Sequence, residues 1–521
     1  MAMTALPVLK EIQGSLRPMW QGTRARHNLA WHNIEPKEWP AVHPWDRELS
    51  GLRLFVYDFH ETGFSLPYLL EFAAAITHQL YGTQDDCLVR YCTLGVATHT
   101  ANGSIGTQWS NARMFTSEIP VLLRLLQVCT LVDDPALADG FLVPVMMGTL
   151  SLLRWHAMTQ YSSVGREGLS LAQLKATFQR KLVHLNARTA SRHIFVQSID
   201  SLFIGPSTVI PESSIIMHLG DDFWSGSRAQ QYSPIKRQTR YNNSISLPYR
   251  SQLPPNNSLT HRLVRDHGRN HHRDSSQSRP LLVFGAFGLE RHVLRKQLAQ
   301  MVQAQAHLAP GRIRVGGMAE LLVHNVPGSL SLDMAYEHAR NATFCLCPAG
   351  DNPAFTQRFY QSILAGCLPV FVDLYLRYPL DDAPRAYPFP TQICWERFVV
   401  EVPRNRSTTT VSAGLAQVPS KPLGKVERRN ATHAARAAMH AEFDDLVPRL
   451  LRLEPHAAAA RRYMARVSSL LQFDSLSAAS GAAHPDAASA ALRELAVKLG
   501  YSKPGDPCRG ASGNEVLNAY V

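Results

Sequence analysis

Arg358 and Gln361, three residues apart, carry the clearest chemistry in this chain. In a helix that spacing sets both on one face, near an N-terminus whose free amides and dipole already favour an anion. A diphosphate would be stabilised there. A second cationic face comes from Arg291 and Arg295, four apart on a helix that follows Phe284-Gly285-Ala286-Phe287-Gly288, where Gly285 is expected to let backbone amides approach phosphate. The local pattern leaves an alternative open, an ordinary strand-helix-strand unit with solvated arginines.

The elements that must position these groups follow from local composition. Residues 343–347 form a short apolar run with β-branched and aromatic members, and Pro348 should end that strand because it has no N–H to give a ladder. Gly350, Asp351 and Asn352 supply turn chemistry; Asn352 can cap the next helix, and Pro353 suits its first position. Gly366 is a natural stop, and 369–372 reads as the next buried strand.

The same alternation runs through most of the chain. Strands are expected at 54–57, 140–145, 194–197 and 215–218, with helices at 65–81, near 112–129 and near 169–186. A second series has strands at 281–284, 312–315, 344–347, 369–372 and 398–402. Alternating strand and helix implies α/β domains with parallel sheets covered on both faces. The expected organisation is an N-terminal extension (1–50), a first α/β domain (51–224), a basic, partly mobile insertion (225–280), a second α/β domain (281–403), a linker (404–429) and a helical C-terminal region (430–521). A chain of 521 residues supports two such cores.

The net charge of +12 invites a nucleic-acid reading until it is located. Residues 225–280 hold ten Lys/Arg against Asp266 and Asp274, so most of the excess is local, in a stretch rich in Ser, Asn, Gln and Pro. It is a candidate for binding anionic glycan. No aromatic interleaving or known module accompanies it, so nucleic acid is not expected as a partner. Eight cysteines define no disulfide framework in a chain this long, and none has C-x-x-C spacing. Cys345 and Cys347, on one face of one strand, are expected as small buried core residues. No run of about 18 apolar residues occurs and no signal-peptide layout opens the sequence, so membrane association is expected only through an anchor missing from it.

CLCPAGD (345–351), Arg358 and AGCLPVFVD (365–373) stand in the order of the C-terminal signature of the exostosin-like glycosyltransferases, family 47. The resemblance extends over most of residues 52–403. LRLFVYDF (52–59) is similar to the family's opening strand, ALADGFLVPV (136–145), RHIFVQSID (192–200) and NSISLPY (243–249) to later ones, and RPLLVFGAFGLERHVLRKQL (279–298) to the first strand and helix of its C-terminal half. Three positions depart from the pattern. Ala349 replaces an arginine, Gln361 a glutamate and Arg192 an aspartate.

The resemblance implies a GT-B architecture, two Rossmann-like domains facing a cleft, with 51–224 binding acceptor and 281–403 binding a nucleotide-sugar donor. It implies inverting transfer of a sugar to a polysaccharide or glycoprotein glycan in the Golgi or another secretory lumen. Donor contacts are expected at Gly285, Arg295, Gly350, Asp351, Arg358 and Gln361, where the glutamine carbonyl would accept from sugar or ribose hydroxyls without charge. The base should come from the N-terminal half; Asp200 at a strand end ranks ahead of Asp58, with His60, Glu61 and His193 as further candidates. No D-x-D stands at a strand end, so arginines and helix dipoles are expected to do without a metal or cofactor. Asn102, Asn242, Asn256, Asn341, Asn405 and Asn430 begin glycosylation triplets. The departures also leave room for a catalytically weakened glycan-binding homologue, and the basic stretch for a polyanion-binding scaffold.

Overall fold

The computed structural model describes residues 43–57, 117–144, 176 and 178–196, 210–219 except 212, 243–249, 279–289, 293–317, 332–348, 357–372, 387–402, 443–473, 485–509 and 517. They fall into two compact units.

The first unit holds a six-stranded sheet. Its strands are β1 (Arg53–Val56), β2 (Thr130–Leu131), β3 (Gly140–Val143), β4 (His193–Val196), β5 (Ile215–Leu219) and β6 (Ser244–Leu247), in the order β2-β1-β3-β4-β5-β6. Every pairing is parallel. β3, β4 and β5 are buried along their whole lengths, as a sheet covered on both faces requires, which is why they read as unbroken apolar runs. The expected helix near 112–129 is α1 (Glu118–Val128). The strand β6 lies inside the basic 225–280 stretch, so residues 244–247 are corrected from solvated insertion to the sixth strand of a buried sheet. Ser117 Oγ donates to the Pro248 carbonyl at 2.9 Å and ties the start of α1 to the end of that strand.

The C-terminal residues 472–504 belong to this unit as well. Asp486 caps the helix Ala487–Lys498, its carboxylate accepting from the Ser489 amide at 2.9 Å. That helix packs on α1, β6 and the 3-10 turn Pro44–Leu49. At the junction Arg124 of α1 donates to Asp46 Oδ2 at 2.5 Å, to Asp486 Oδ2 at 3.2 Å and to Ser489 Oγ at 3.1 Å. All four residues are buried, so one guanidinium holds two carboxylates out of water.

The second unit holds five parallel strands, β7 (Leu281–Phe287), β8 (Ile313–Gly317), β9 (Ala342–Pro348), β10 (Leu368–Val372) and β11 (Val400–Val402), in the order β11-β10-β9-β7-β8. The helices α2 (Val293–Ala304), α3 (Leu332–Arg340) and α4 (Gln357–Leu364) follow β7, β8 and β9 in turn. Pro348 is the last residue of β9, as expected. Gly366 takes φ 70° and closes α4: its amide donates to Ile363 and that of Cys367 to Ser362, a pair of bonds that a left-handed glycine permits.

Cysteines correct the sequence reading. Cys345 of β9 is bonded to Cys367, just before β10, with Cα atoms 5.8 Å apart, and Cys394 is bonded to Cys508. Cys347 alone of the β9 pair is a free buried thiol. Among the described residues no helix is long and apolar enough to cross a membrane.

Candidate active site

Strand order determines which residues meet in the second unit. Counting its strands from β7, the order is 5-4-3-1-2, and in sheets of that kind the crevice for ligand opens beyond the carboxyl ends of the first and third strands. Those are β7 and β9, and the helices that leave them are α2 and α4. Arg295 stands in the first turn of α2 and Arg358 in the first turn of α4. The switch point thus gathers two guanidiniums from segments remote in sequence.

The geometry bears this out. Arg358 lies with its Cζ 5.9 Å from the centre of the Phe287 ring, at the end of β7. Arg295 is buried, and its Nη1 donates to the carbonyl of Gly288 at 3.4 Å, one residue beyond the same strand. Burial pushes the Arg358 pKa down to about 10, and the neighbouring charge of Arg295 pushes in the same direction. Both cations persist at neutral pH, held near each other in a partly dehydrated place. That is an arrangement suited to an oxyanion of more than one charge.

Helix α4 presents a narrow accessible stripe. Gln357, Arg358, Gln361 and Leu364 are half-buried, while Phe359, Tyr360, Ser362 and Ile363 are buried. Gln361 therefore shares the accessible face with Arg358 one turn on, as the three-residue spacing predicts. Beneath them, Ser362 Oγ donates to the Arg358 carbonyl at 2.8 Å, and Cys347 Sγ lies 3.3 Å from that hydroxyl. Burial raises the Cys347 thiol to about 12, so it stays protonated and packs as a neutral group. The Cys345–Cys367 bridge fixes the exit of the helix to the strand before it.

Gly285 is displaced from its expected loop. β7 runs on to Phe287, so Gly285 is a buried interior residue paired with Val315, and a Cβ there would lie 3.0 Å from Leu346 Cβ and from Phe287 Cε1. The missing side chain admits its neighbours in the sheet; the turn starts only at Gly288. Gly350, Asp351, Asp58 and Asp200, with His60, Glu61 and Arg291, lie outside the described residues.

In the first unit the order 2-1-3-4-5-6 puts the corresponding switch point beyond β1 and β3. Tyr57 directly follows β1, and its hydroxyl lies 2.8 Å from His193 Nε2. The other ring nitrogen of His193 lies 2.8 Å from the Thr189 carbonyl, which can only accept, so Nδ1 carries the proton and Nε2 accepts from Tyr57. His193 also stacks on Phe141 at 4.7 Å between centroids. Burial depresses its pKa to about 4 and raises that of the Tyr57 hydroxyl. His193, a candidate base by its place in the sequence, is a neutral ring with both nitrogens engaged. Arg192, at the position of the family's aspartate, lies with its Cζ 5.3 Å from the Phe141 ring centre and donates to the Ala138 carbonyl.

Sequence reasoning placed Arg295 and Arg358 separately and missed that they meet. Only the strand order, which local composition does not encode, brings them together. The pairing of Tyr57 with His193 was missed for the same reason.

Fold and site together define a parallel α/β protein with a cationic, anion-receptive switch point in its second unit. Residues 50–414 match the Exostosin GT47 domain, and the chain belongs to that glycosyltransferase family. No curated protein matches the chain.

Proposed function

We propose that this chain is an inverting glycosyltransferase of GT-B architecture that moves a sugar from a nucleotide-sugar donor to a polysaccharide or glycoprotein glycan. The observation that carries the reading is the convergence of Arg295 and Arg358 beyond β7 and β9. In such a transfer the acceptor oxygen loses its proton to a base and bonds to the anomeric carbon as the bond from that carbon to phosphate breaks. The departing nucleoside diphosphate gains negative charge. Two preorganised guanidiniums stabilise that charge most in the transition state, which is where binding accelerates reaction. Gln361 accepts from a donor or ribose hydroxyl, and Asp200, ahead of Asp58, serves as base. The arginines take the place a metal would hold, so transfer by the purified protein should survive chelator.

A secretory lumen fits two disulfides among the described residues. Asn341, first of an Asn-Ala-Thr triplet, is exposed in the turn between α3 and β9 and suits glycosylation there.

The deciding experiment is a product assay with a panel of nucleotide sugars and acceptor glycans, read by mass, beside a thermal-shift screen with nucleoside diphosphates. Transfer with one donor, and stabilisation abolished in Arg358→Ala, is the expected outcome. A second reading rests on Ala349 and Gln361, where the family pattern has arginine and glutamate: a weakened homologue that holds glycan. It is favoured if no nucleotide stabilises the protein and no sugar is transferred or hydrolysed. Binding of an anionic polymer that is lost on deleting residues 250–278 would instead favour a scaffold role for the basic stretch.

A further inference from the structure

The carboxylate of Glu396 stands in an unexpected place. Its Oε2 lies 3.3 Å from Cys394 Sγ and 3.0 Å from Cys508 Sγ, although the two sulfurs are bonded to each other and have no S–H to donate. An anionic oxygen turned towards both sulfurs of a disulfide gains no hydrogen bond from it. Among the described residues no arginine or lysine pairs with this carboxylate, and nothing but the two sulfurs engages it. The placement is explained if the sulfurs also exist as thiols that donate to the oxygen, or as thiolates sharing a cation with it.

The two cysteines are held together by more than their bond. The Cys394 amide donates to the Tyr463 hydroxyl at 2.8 Å. On the other side, Gly505 packs so closely on the chain that a Cβ would come within 2.5 Å of the Thr391 carbonyl oxygen. Between Gly505 and Cys508 the chain is turned by Asp506, whose carboxylate accepts from the Cys508 amide at 3.2 Å and whose carbonyl accepts from Arg509 at 3.1 Å. These contacts survive reduction, so both sulfurs remain beside Glu396. One ligand atom from each of Cys394, Glu396 and Cys508 lies within 4.8 Å of the others. Two thiolates and a carboxylate, with water as fourth ligand, make a tetrahedral donor set for a borderline-soft divalent ion. Cys394 is buried, Cys508 half-buried and Glu396 exposed, which leaves the ion a side open to solvent.

We propose that Cys394, Cys508 and Glu396 form a thiol-gated site for zinc or a zinc-like divalent cation, closed as a disulfide and opened by reduction. A thiol-class reductant gives two electrons and two protons to the Cys394–Cys508 bond and becomes a disulfide itself. The divalent ion then displaces the two thiol protons and binds both sulfurs and the Glu396 carboxylate, leaving the complex with one net negative charge. This site is independent of sugar transfer and of any metal requirement in it.

The test uses the full chain, reduced under native conditions with a phosphine, freed of reductant without air, and titrated with Co2+, whose thiolate charge-transfer absorption reports sulfur ligation. The reduced chain should bind about one sulfur-ligated Co2+, displaceable by Zn2+, and the oxidised chain none. Glu396→Gln should weaken the ion by about tenfold or more. Cys508→Ser, which keeps every other cysteine, should lose the absorption. A Cys394–Cys508 bond that resists the phosphine, a reduced chain without Co2+ absorption, or absorption retained in Cys508→Ser would each overturn the proposal. Should Cys508→Ser fail to fold, Glu396→Gln decides, since it keeps the disulfide as purified: unchanged affinity in that variant removes the carboxylate from the site and the proposal with it.

Discussion

Arg358 and Arg295, carried by different helices, lie near enough that the charge of one lowers the pKa of the other. Like charges are brought together at a cost, and a folded protein that keeps them so gains when an anion enters. Arg358→Ala should therefore cost more with a nucleoside diphosphate bound than in the free protein. A charge-assisted contact of this kind is worth roughly 1.5–3 kcal/mol, so diphosphate affinity should fall by about tenfold to a hundredfold while unliganded stability changes little. Calorimetric titration measures it. Arg358→Lys should recover only part, because an ammonium lacks the planar fork.

His193 makes stability depend on pH in a defined sense. Its folded pKa of about 4 lies below the ordinary 6.5, so between these values the unfolded chain takes up a proton that the folded one refuses. Its contribution is complete above about pH 6.5 and is lost as pH falls towards 4, amounting to about 3 kcal/mol. Urea unfolding at a series of pH values should show this slope. His193→Phe should lower stability at neutral pH by stranding the Tyr57 hydroxyl and the Thr189 carbonyl, yet flatten the slope; the same slope in the variant would assign it elsewhere.

Removing the Cys345–Cys367 bridge by Cys367→Ala should cost ~3 kcal/mol, from the entropy regained by the loop it closes. Because Cys367 sits at the exit of α4, the loss should also loosen the Arg358 face and weaken diphosphate binding. Thermal unfolding with and without nucleotide separates the two effects.

Arg124→Met should be more damaging than any surface change. It leaves Asp46 and Asp486 buried without their shared cation, a loss of about 3–5 kcal/mol. Chemical denaturation checks this. A triple variant that also replaces both aspartates with asparagine should recover a good part of the loss, since no buried charge is then left unpaired.

Much of the sheet architecture was readable from composition because parallel strands buried on both faces have little freedom in residue type. Phe195, Leu346 and Val370 each sit in apolar runs bounded by turn residues, and each is within a strand of the structure. β6 was harder: Ser244–Leu247 has four residues, two of them serine, embedded in basic chain. Gly285 misled because a glycine after a strand signals a turn, whereas here it admits Leu346 across the sheet. The disulfides were invisible for another reason. Cys345 meets Cys367 through parallel pairing of β9 with β10, and Cys394 meets Cys508 through a tail more than a hundred residues away; separation in sequence says nothing about either.

The return of residues 472–504 to the first unit has a consequence for how the protein is made. All six strands of the first sheet have left the ribosome once Leu247 is translated, but Arg124 must wait for Asp486 and Ser489 from nearly the end of the chain. Domains commonly fold in order of synthesis. Here the first unit to emerge is the last to be sealed, so a nascent chain carries an unfinished core through the translation of everything between, and a stop codon anywhere before the last helix spoils the beginning of the protein as well as its end.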